Sequence, residues 1–328
     1  MRRFTYVRPR TVREAVRAAD QDTRFLAGGT TLYDLMKLDV ERPATVVDLT
    51  GLRELRAFDT SGRRELVFGA LAPMSDVAED RRLVRDYPAL AESLQQAASQ
   101  QVRNMATVGG NLLQRTRCPY FRGGEPYACN KRRPGSGCDA IDGLNRGHAV
   151  LGASAACVAV YPGDWAVALG AFDALVDVAG PDGERTLPVA QLHREPGSTP
   201  HIETALAPGE IVVRVRVPTT PLGRASTYRK VRDRESFAFA LASAAVAVRL
   251  SAGRVAEARV ALGGVATRPW RAPEAERLLR GRALTPEAAL AAGRAAFAGA
   301  RPLRDNAYKI ELGAQTVADA LMIARERA

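Results

Sequence analysis

The chain has 328 residues, 46% of them hydrophobic and 25% charged, an ordinary globular mixture with room for two or three domains of roughly 150 residues each. It has no apolar run of about 18 residues that would span a membrane. The formal charge of +11 is almost wholly arginine, since Lys37, Lys131, Lys230 and Lys309 are the only lysines. Those arginines are scattered and the aromatic content is 6%, which argues against a nucleic-acid binder and equally suits an acidic partner subunit or an anionic cofactor.

The opening Met1-Arg2-Arg3-Phe4-Thr5-Tyr6-Val7-Arg8-Pro9 has charge but no apolar core of a secretion signal, so cytoplasmic residence is the default expectation. Thr11-Val12-Arg13-Glu14 reads as a capping box opening a short helix, with Val12, Ala15, Val16 and Ala19 on its apolar face. Arg24-Phe25-Leu26-Ala27 predicts a strand running into Gly28-Gly29-Thr30-Thr31. Leu32, Leu35, Met36 and Leu38 then restore helical spacing, and Thr45-Val46-Val47-Asp48-Leu49 predicts the next strand. Glu65-Leu66-Val67-Phe68-Gly69 is strand-like, and residues 88–100 are expected to be helical up to a second glycine pair, Ala106-Thr107-Val108-Gly109-Gly110-Asn111.

Residues 114–147 are rich in Arg, Gly and Pro and have neither helical nor strand periodicity. A loop of that length inside a compact domain is expected to be functional or tied down. Regular structure is expected again at 155–160 and 165–172, then a strand at 175–178 closing on Pro181-Asp182-Gly183, and a cleanly alternating strand at 210–218. After the linker Pro218-Thr219-Thr220-Pro221-Leu222-Gly223, residues 240–250 and 255–265 should form a hairpin about Ser251-Ala252-Gly253. Helices follow at 273–280, 286–298 and 306–326.

All four cysteines, Cys118, Cys129, Cys138 and Cys157, lie in or beside the irregular loop, which points to one metal site. Four thiolates suit tetrahedral zinc or an iron–sulfur cluster, and the spacing C-x10-C-x8-C-x18-C does not choose between them. Disulfides rank lower, because a chain of this length can bury a core without them. His148 could complete a zinc site of three cysteines and one histidine, but four cysteines are preferred, with His148 a hydrogen-bonding neighbour. His193 and His201 fall in a polar connection without partners.

Gly28-Gly29-Thr30-Thr31 stands at a strand-to-helix corner, where backbone amides and the helix N-terminus can cradle a phosphate. The second glycine pair, next to Thr107, strengthens that reading, and two such nests suit a pyrophosphate gripped from both sides. Neither matches G-x-G-x-x-G or a P-loop, so no Rossmann fold is indicated.

Phe4-Thr5-Tyr6-Val7-Arg8-Pro9, Ala27-Gly28-Gly29-Thr30, Ala106-Thr107-Val108-Gly109-Gly110-Asn111, Asp164 and Tyr228-Arg229-Lys230, in that order, resemble the FAD-binding medium subunit of molybdenum hydroxylases, the xanthine dehydrogenase and carbon monoxide dehydrogenase group. Cys118-Pro119-Tyr120-Phe121-Arg122, Cys129-Asn130-Lys131-Arg132 and Pro134-Gly135-Ser136-Gly137-Cys138 are similar to the insertion in the FAD subunit of bacterial three-subunit aldehyde oxidoreductases. The resemblance implies an α+β fold: a two-part FAD-binding domain of the vanillyl-alcohol-oxidase-like (PCMH) type at 1–55 and 56–218, with an iron–sulfur loop at 114–157. A C-terminal α+β domain of antiparallel sheet and helices would occupy 224–328.

It further implies FAD held by Leu26, Ala27, Gly28, Gly29, Thr30, Thr31, Leu32, Tyr33 and Asp34, with Thr107, Gly110 and Asn111 adding contacts. Asp164 would bond the adenosine ribose, although its position also fits a helix N-cap. Ile211 or Val212 would pack near the flavin, and Lys230 would stabilise the isoalloxazine electrostatically. Cys118, Cys129, Cys138 and Cys157 would bind a [4Fe-4S] cluster. The implied partners are a small [2Fe-2S] subunit, a large molybdenum-cofactor subunit and an external electron acceptor, and co-export with a signal-bearing partner would place the chain in the periplasm. A flavin subunit similar to that of 4-hydroxybenzoyl-CoA reductase, a stand-alone flavin oxidase and a zinc-stabilised binding module are the alternatives.

Overall fold

Three β-sheets follow one another along the chain in a computed structural model that describes residues 1–328. The first is small and parallel, in the order β1-β3-β2, built from β1 (Thr5–Val7), α1 (Val12–Arg17), β2 (Thr23–Leu26), α2 (Leu32–Lys37) and β3 (Thr45–Asp48). The Thr11 hydroxyl accepts from the Glu14 amide, as a capping box requires. The return bond runs from the Arg10 amide to Glu14 Oε2 at 2.8 Å, one residue earlier than the strict motif.

The second sheet is antiparallel with the order β4-β5-β8-β6-β7: β4 (Phe58–Asp59), β5 (Glu65–Gly69), β6 (Leu175–Gly180), β7 (Gly183–Pro188) and β8 (Ile211–Pro218). Between β5 and β6 run α3 (Met74–Ala78), α4 (Arg81–Asp86), α5 (Pro88–Gln95), α6 (Gln100–Met105), α7 (Val108–Leu112), α8 (Pro119–Arg122) and α9 (Trp165–Ala171), and α10 (Val189–Leu192) follows β7. The single helix expected over 88–100 is interrupted. Ala98 takes φ +48°, and Ser99 then caps a new helix by accepting from the Val102 amide. No strand forms at 155–160, where the ladder is reduced to one bridge between Ser154 and Cys157.

The alternation of β8 is also less regular than its sequence implies. Asp177 of β6 pairs with Arg214 and Val178 with Val212, so Val213 is an extra, bulged residue. The bulge changes which face each side chain serves. Val212, Val215 and Val217 enter the main core, whereas Ile211 and Val213 join Val47, Leu49, Leu52 and Ala179 between the small sheet and the second sheet.

The third sheet, β12-β11-β10-β9, is antiparallel and consists of β9 (Ser226–Val231), β10 (Ala242–Ser251), β11 (Arg254–Gly263) and β12 (Trp270–Arg271). Ala252 at φ +49° and Gly253 at φ +72° make the tight β10–β11 turn, matching the twist of the strands. One face of β10 presents Ala244, Val246 and Val248 to a core shared with α11 (Pro273–Leu279), α12 (Pro286–Ala295) and α13 (Tyr308–Glu326), of which α13 packs on β10 and α11 on β11. The other presents Ala245 and Ala247 to the main core, and α5 and α9 pack on that face. The small alanines let those helices approach closely.

The main core centres on Trp165, whose ring meets Phe68 edge-on at 5.5 Å, with Tyr87 and Phe172 paired at 5.4 Å. No helix is long and apolar enough to cross a membrane. Because Phe68 is fully buried, Phe68→Ala should cost about 3–5 kcal/mol of stability. Guanidinium unfolding followed by tryptophan fluorescence will measure it, since Trp165 is the ring that loses its neighbour.

Candidate functional site

The first glycine turn carries chain from β2 into α2. Gly29 adopts φ +74°, a conformation favouring glycine, and the amides of Gly28, Gly29, Thr30 and Thr31 find no acceptor in the chain. Free amides at a helix start are suited to an anionic oxygen. Gly28 has a second constraint. A Cβ built on it would collide with the Met105 carbonyl oxygen and stand 2.9 Å from the Ala106 Cα, so the first turn lies directly against the approach to the second.

The second glycine pair does not form the expected nest. Its amides are used internally: Val108 N–H donates to Ala72 O at 3.0 Å, Gly109 N–H to Ala70 O at 2.9 Å and Gly110 N–H to Thr107 Oγ1 at 3.2 Å. Gly109 is small so that α7 can sit on Ala70, because a Cβ there would be 2.7 Å from the Ala70 Cβ. Thr107 keeps a hydroxyl proton to donate, since its oxygen serves the cap as acceptor. The buried Asn111 Oδ1 also has no partner. The donors expected of Gly110 are therefore spent, while Thr107 and Asn111 retain capacity for a polar ligand.

Ile211 and Val212 diverge at the bulge. Ile211 shares a cluster with Ala27 of the first turn, and Val212 one with Ala106 and Val108 of the second. Asp164 and Lys230 meet in an ion pair of 2.8 Å, with side-chain exposures of 6% and 1%. The Tyr228 hydroxyl donates to the other Asp164 oxygen at 2.6 Å, and Lys230 also donates to Gln96 O at 3.1 Å. A direct pair cannot mark the ribose and isoalloxazine ends of an extended dinucleotide, so their expected separation is corrected. Asp164 occupies the N-cap position of α9 but makes no side-chain cap bond, so the capping alternative fails as well.

The cysteine loop packs against α2. Phe121, Cys129 and Leu35 form a small buried cluster, with Cys118 at its edge. Arg122 grips Asp34 through two bonds of 2.8 and 3.0 Å and Arg117 adds a third of 3.0 Å. Hydrogen bonding from Arg122, against the opposing effect of partial burial, holds Asp34 below the usual carboxylate range. Asp34 is thus committed to the loop. Arg117 and Arg122 were not singled out from sequence; the available signal was an arginine one residue before and four after Cys118.

The loop is ordered by side-chain bonds to its own backbone. Asn130 donates to Ala156 O and accepts from the Gly137 amide, Arg132 donates to the carbonyls of Tyr120, Phe121 and Tyr127, and Asn145 donates to Ile141 O and Gly143 O. All four thiols are free of disulfides. Cys129 and Cys138 face each other across a bridge, and His148 Nε2 is 3.2 Å from Cys118 Sγ. No three His, Cys, Asp or Glu side chains converge as ligands of a single metal ion.

Interaction between the neighbouring Cys138 and Cys157 thiols shifts them in opposite directions, Cys138 down and Cys157 up, whereas burial pushes Cys118 up to about 11. The donor set is soft and wholly sulfur, chemistry that suits a thiolate-bound iron–sulfur group, whereas the thiols do not converge on one ion as zinc would require. His193 corrects an expectation too: it is buried against Tyr161, its Nε2 2.8 Å from Leu112 O, and burial lowers it to about 4.

Because Lys230 is buried, Asp164→Asn should cost about 3–5 kcal/mol by stranding its ammonium, and adding Lys230→Met should return part of that loss. Denaturant midpoints of the single and double variants provide the comparison.

Residues 2–220 match the FAD-binding domain of molybdopterin dehydrogenases, and residues 226–323 match the carbon monoxide dehydrogenase flavoprotein C-terminal domain. The aldehyde oxidoreductase FAD-binding subunit PaoB of Escherichia coli is 46% identical over 100% of both chains. The carbon monoxide dehydrogenase medium chain of Hydrogenophaga pseudoflava is 30% identical over 99% of this chain and 98% of its own. A solved carbon monoxide dehydrogenase from the same organism superposes with a TM-score of 0.78, at 30% identity, over 100% of this chain and 99% of the matched one. A chain with both domains, matched end to end, belongs to the FAD-binding medium subunits of the molybdenum hydroxylases, a family of oxidoreductases.

Proposed function

We propose that the chain is the FAD- and [4Fe-4S]-containing electron-transfer subunit of a molybdenum-cofactor aldehyde oxidoreductase. It would take electrons from [2Fe-2S] clusters on a small partner, downstream of a large molybdenum subunit, and deliver them to an external acceptor. The observation that carries this reading is the four-thiol loop packed on α2, the helix that the first glycine turn launches. The whole-length similarity to an aldehyde oxidoreductase FAD-binding subunit supports the substrate class. Residues 1–55 and 56–218 would hold the dinucleotide, and 224–328 would back it.

FAD exchanges electrons singly or in pairs and an iron–sulfur cluster singly, which is the chemistry a relay needs. The amides of Gly28, Gly29, Thr30 and Thr31 would donate to diphosphate oxygens, and the Thr107 hydroxyl would add a donor from the facing turn. Ile211 and Val212 would support the two turns from below, while Asp34 ties α2 to the cysteine loop. Cys118, Cys129, Cys138 and Cys157 would supply the cluster thiolates. Asp164 and Lys230 would orient the flavin site as a pair with no net charge.

Analysis of flavin, iron, acid-labile sulfide and zinc in the purified chain tests the assignment; zinc without flavin bands or iron–sulfur absorption would overturn it. Turnover of an aldehyde by the isolated chain would overturn the subunit reading. Gly28→Ala forces the two turns apart, so it should cost about 1–3 kcal/mol and weaken FAD binding about tenfold or more, read by flavin fluorescence. Cys138→Ser should lose iron yet keep most of the flavin, because the free amides belong to the turn rather than to the loop. Parallel loss of both would mean that they fold as one unit.

A further inference from the structure

His148 is the loop's one histidine, and its ring is held in place from several sides. The residue is 4% exposed, its amide donates to Asn145 O at 2.9 Å, and its carbonyl accepts from Asn306 Nδ2 at 3.2 Å. The Tyr120 ring lies 6.1 Å from it. Nε2 is 3.2 Å from Cys118 Sγ, while Nδ1 is buried without a partner. The imidazole therefore has one polar neighbour, the sulfur.

The next layer out is a buried cation. Lys309 is 1% exposed, and its ammonium donates to Gly147 O at 3.1 Å and Gly264 O at 2.7 Å, with no carboxylate paired to it. A thiolate can only accept a hydrogen bond, and an imidazole nitrogen facing one must carry a proton to bond it. The 3.2 Å contact therefore pairs a protonated Nε2 with the Cys118 sulfur.

We infer that His148 is a positioning residue for the group held by the cysteines: its Nε2–H donates to the Cys118 thiolate, orienting that ligand and stabilising the negative charge on its sulfur. The inference rests on reading the loop as an iron–sulfur site. Hydrogen bonds to cluster sulfurs are among the factors that set a cluster's potential, and a donor favours the more negatively charged form. Removing the donor lowers the potential. Lys309 of α13 braces the same segment by donating to the carbonyl of Gly147, the residue before His148.

The test compares full-length wild type, His148→Gln and His148→Leu, first for iron and acid-labile sulfide and then for cluster midpoint potential by EPR-monitored titration. The expected result is iron retained in all three, a more negative potential in His148→Leu, and return toward wild type in His148→Gln, whose amide still donates. An unchanged potential in loaded His148→Leu overturns the inference alone. Wild type without iron and sulfide overturns the iron–sulfur reading and the inference together.

Pulsed EPR of 15N-histidine-labelled wild type supplies a second measurement that needs no variant. A weak nitrogen coupling supports an N–H···S bond; a strong one makes His148 a ligand and overturns the proposal, as does none. Should His148→Leu fail to take up iron, this spectrum decides.

Discussion

The contact of Gly28 with Met105 and Ala106 is the constraint on which the rest of the site depends. Only a residue without a side chain permits it, and it holds the loop that starts α2 against the segment that ends in Thr107. The two glycine pairs meet different needs. Gly28 and Gly29 leave amides free, while Gly109 closes a distance and lets α7 rest on Ala70, where its amides are consumed. The first turn thus keeps free backbone donors, and Thr107 of the second keeps a hydroxyl proton.

The cysteine loop is wedged into this arrangement rather than appended to it. It touches α2 through Phe121 and Cys129, grips Asp34 with two arginines, and reaches the C-terminal region through Asn145 with Asp305 and through His148 with Asn306. Arg115 adds a bridge to Glu41 and Glu203. Partly buried charge pairs of this kind contribute little net stability, but breaking one strands its partner, so they specify position strongly.

A second buried ionic group does the same for the C-terminal sheet. Lys230 and Tyr228 on β9 converge on Asp164, at the start of α9, and Lys230 also reaches the carbonyl of Gln96 beyond α5. The alanine face of β10 packs on α5 and α9. Shape brings the sheet close, and the ion pair selects its register against the helices.

Much of the architecture was legible from the residues themselves. The capping of α1, the β2-turn-α2-β3 order, the Ala252-Gly253 hairpin and the three C-terminal helices depend on neighbours a few positions apart, which periodicity and turn chemistry record. The family resemblance, carried by ordered motifs, reached the fold and the flavin. The bulge at Val213, the break at Ala98, the consumed amides of the second glycine pair and the pairing of Asp164 with Lys230 were decided only by tertiary structure. The bulge, the Val108 and Gly109 amides and the ion pair each depend on an atom supplied from far along the chain. A sequence shows which donors and charges exist, but whether a donor stays free, or a charge is neutralised, depends on what the folded backbone brings within bonding distance.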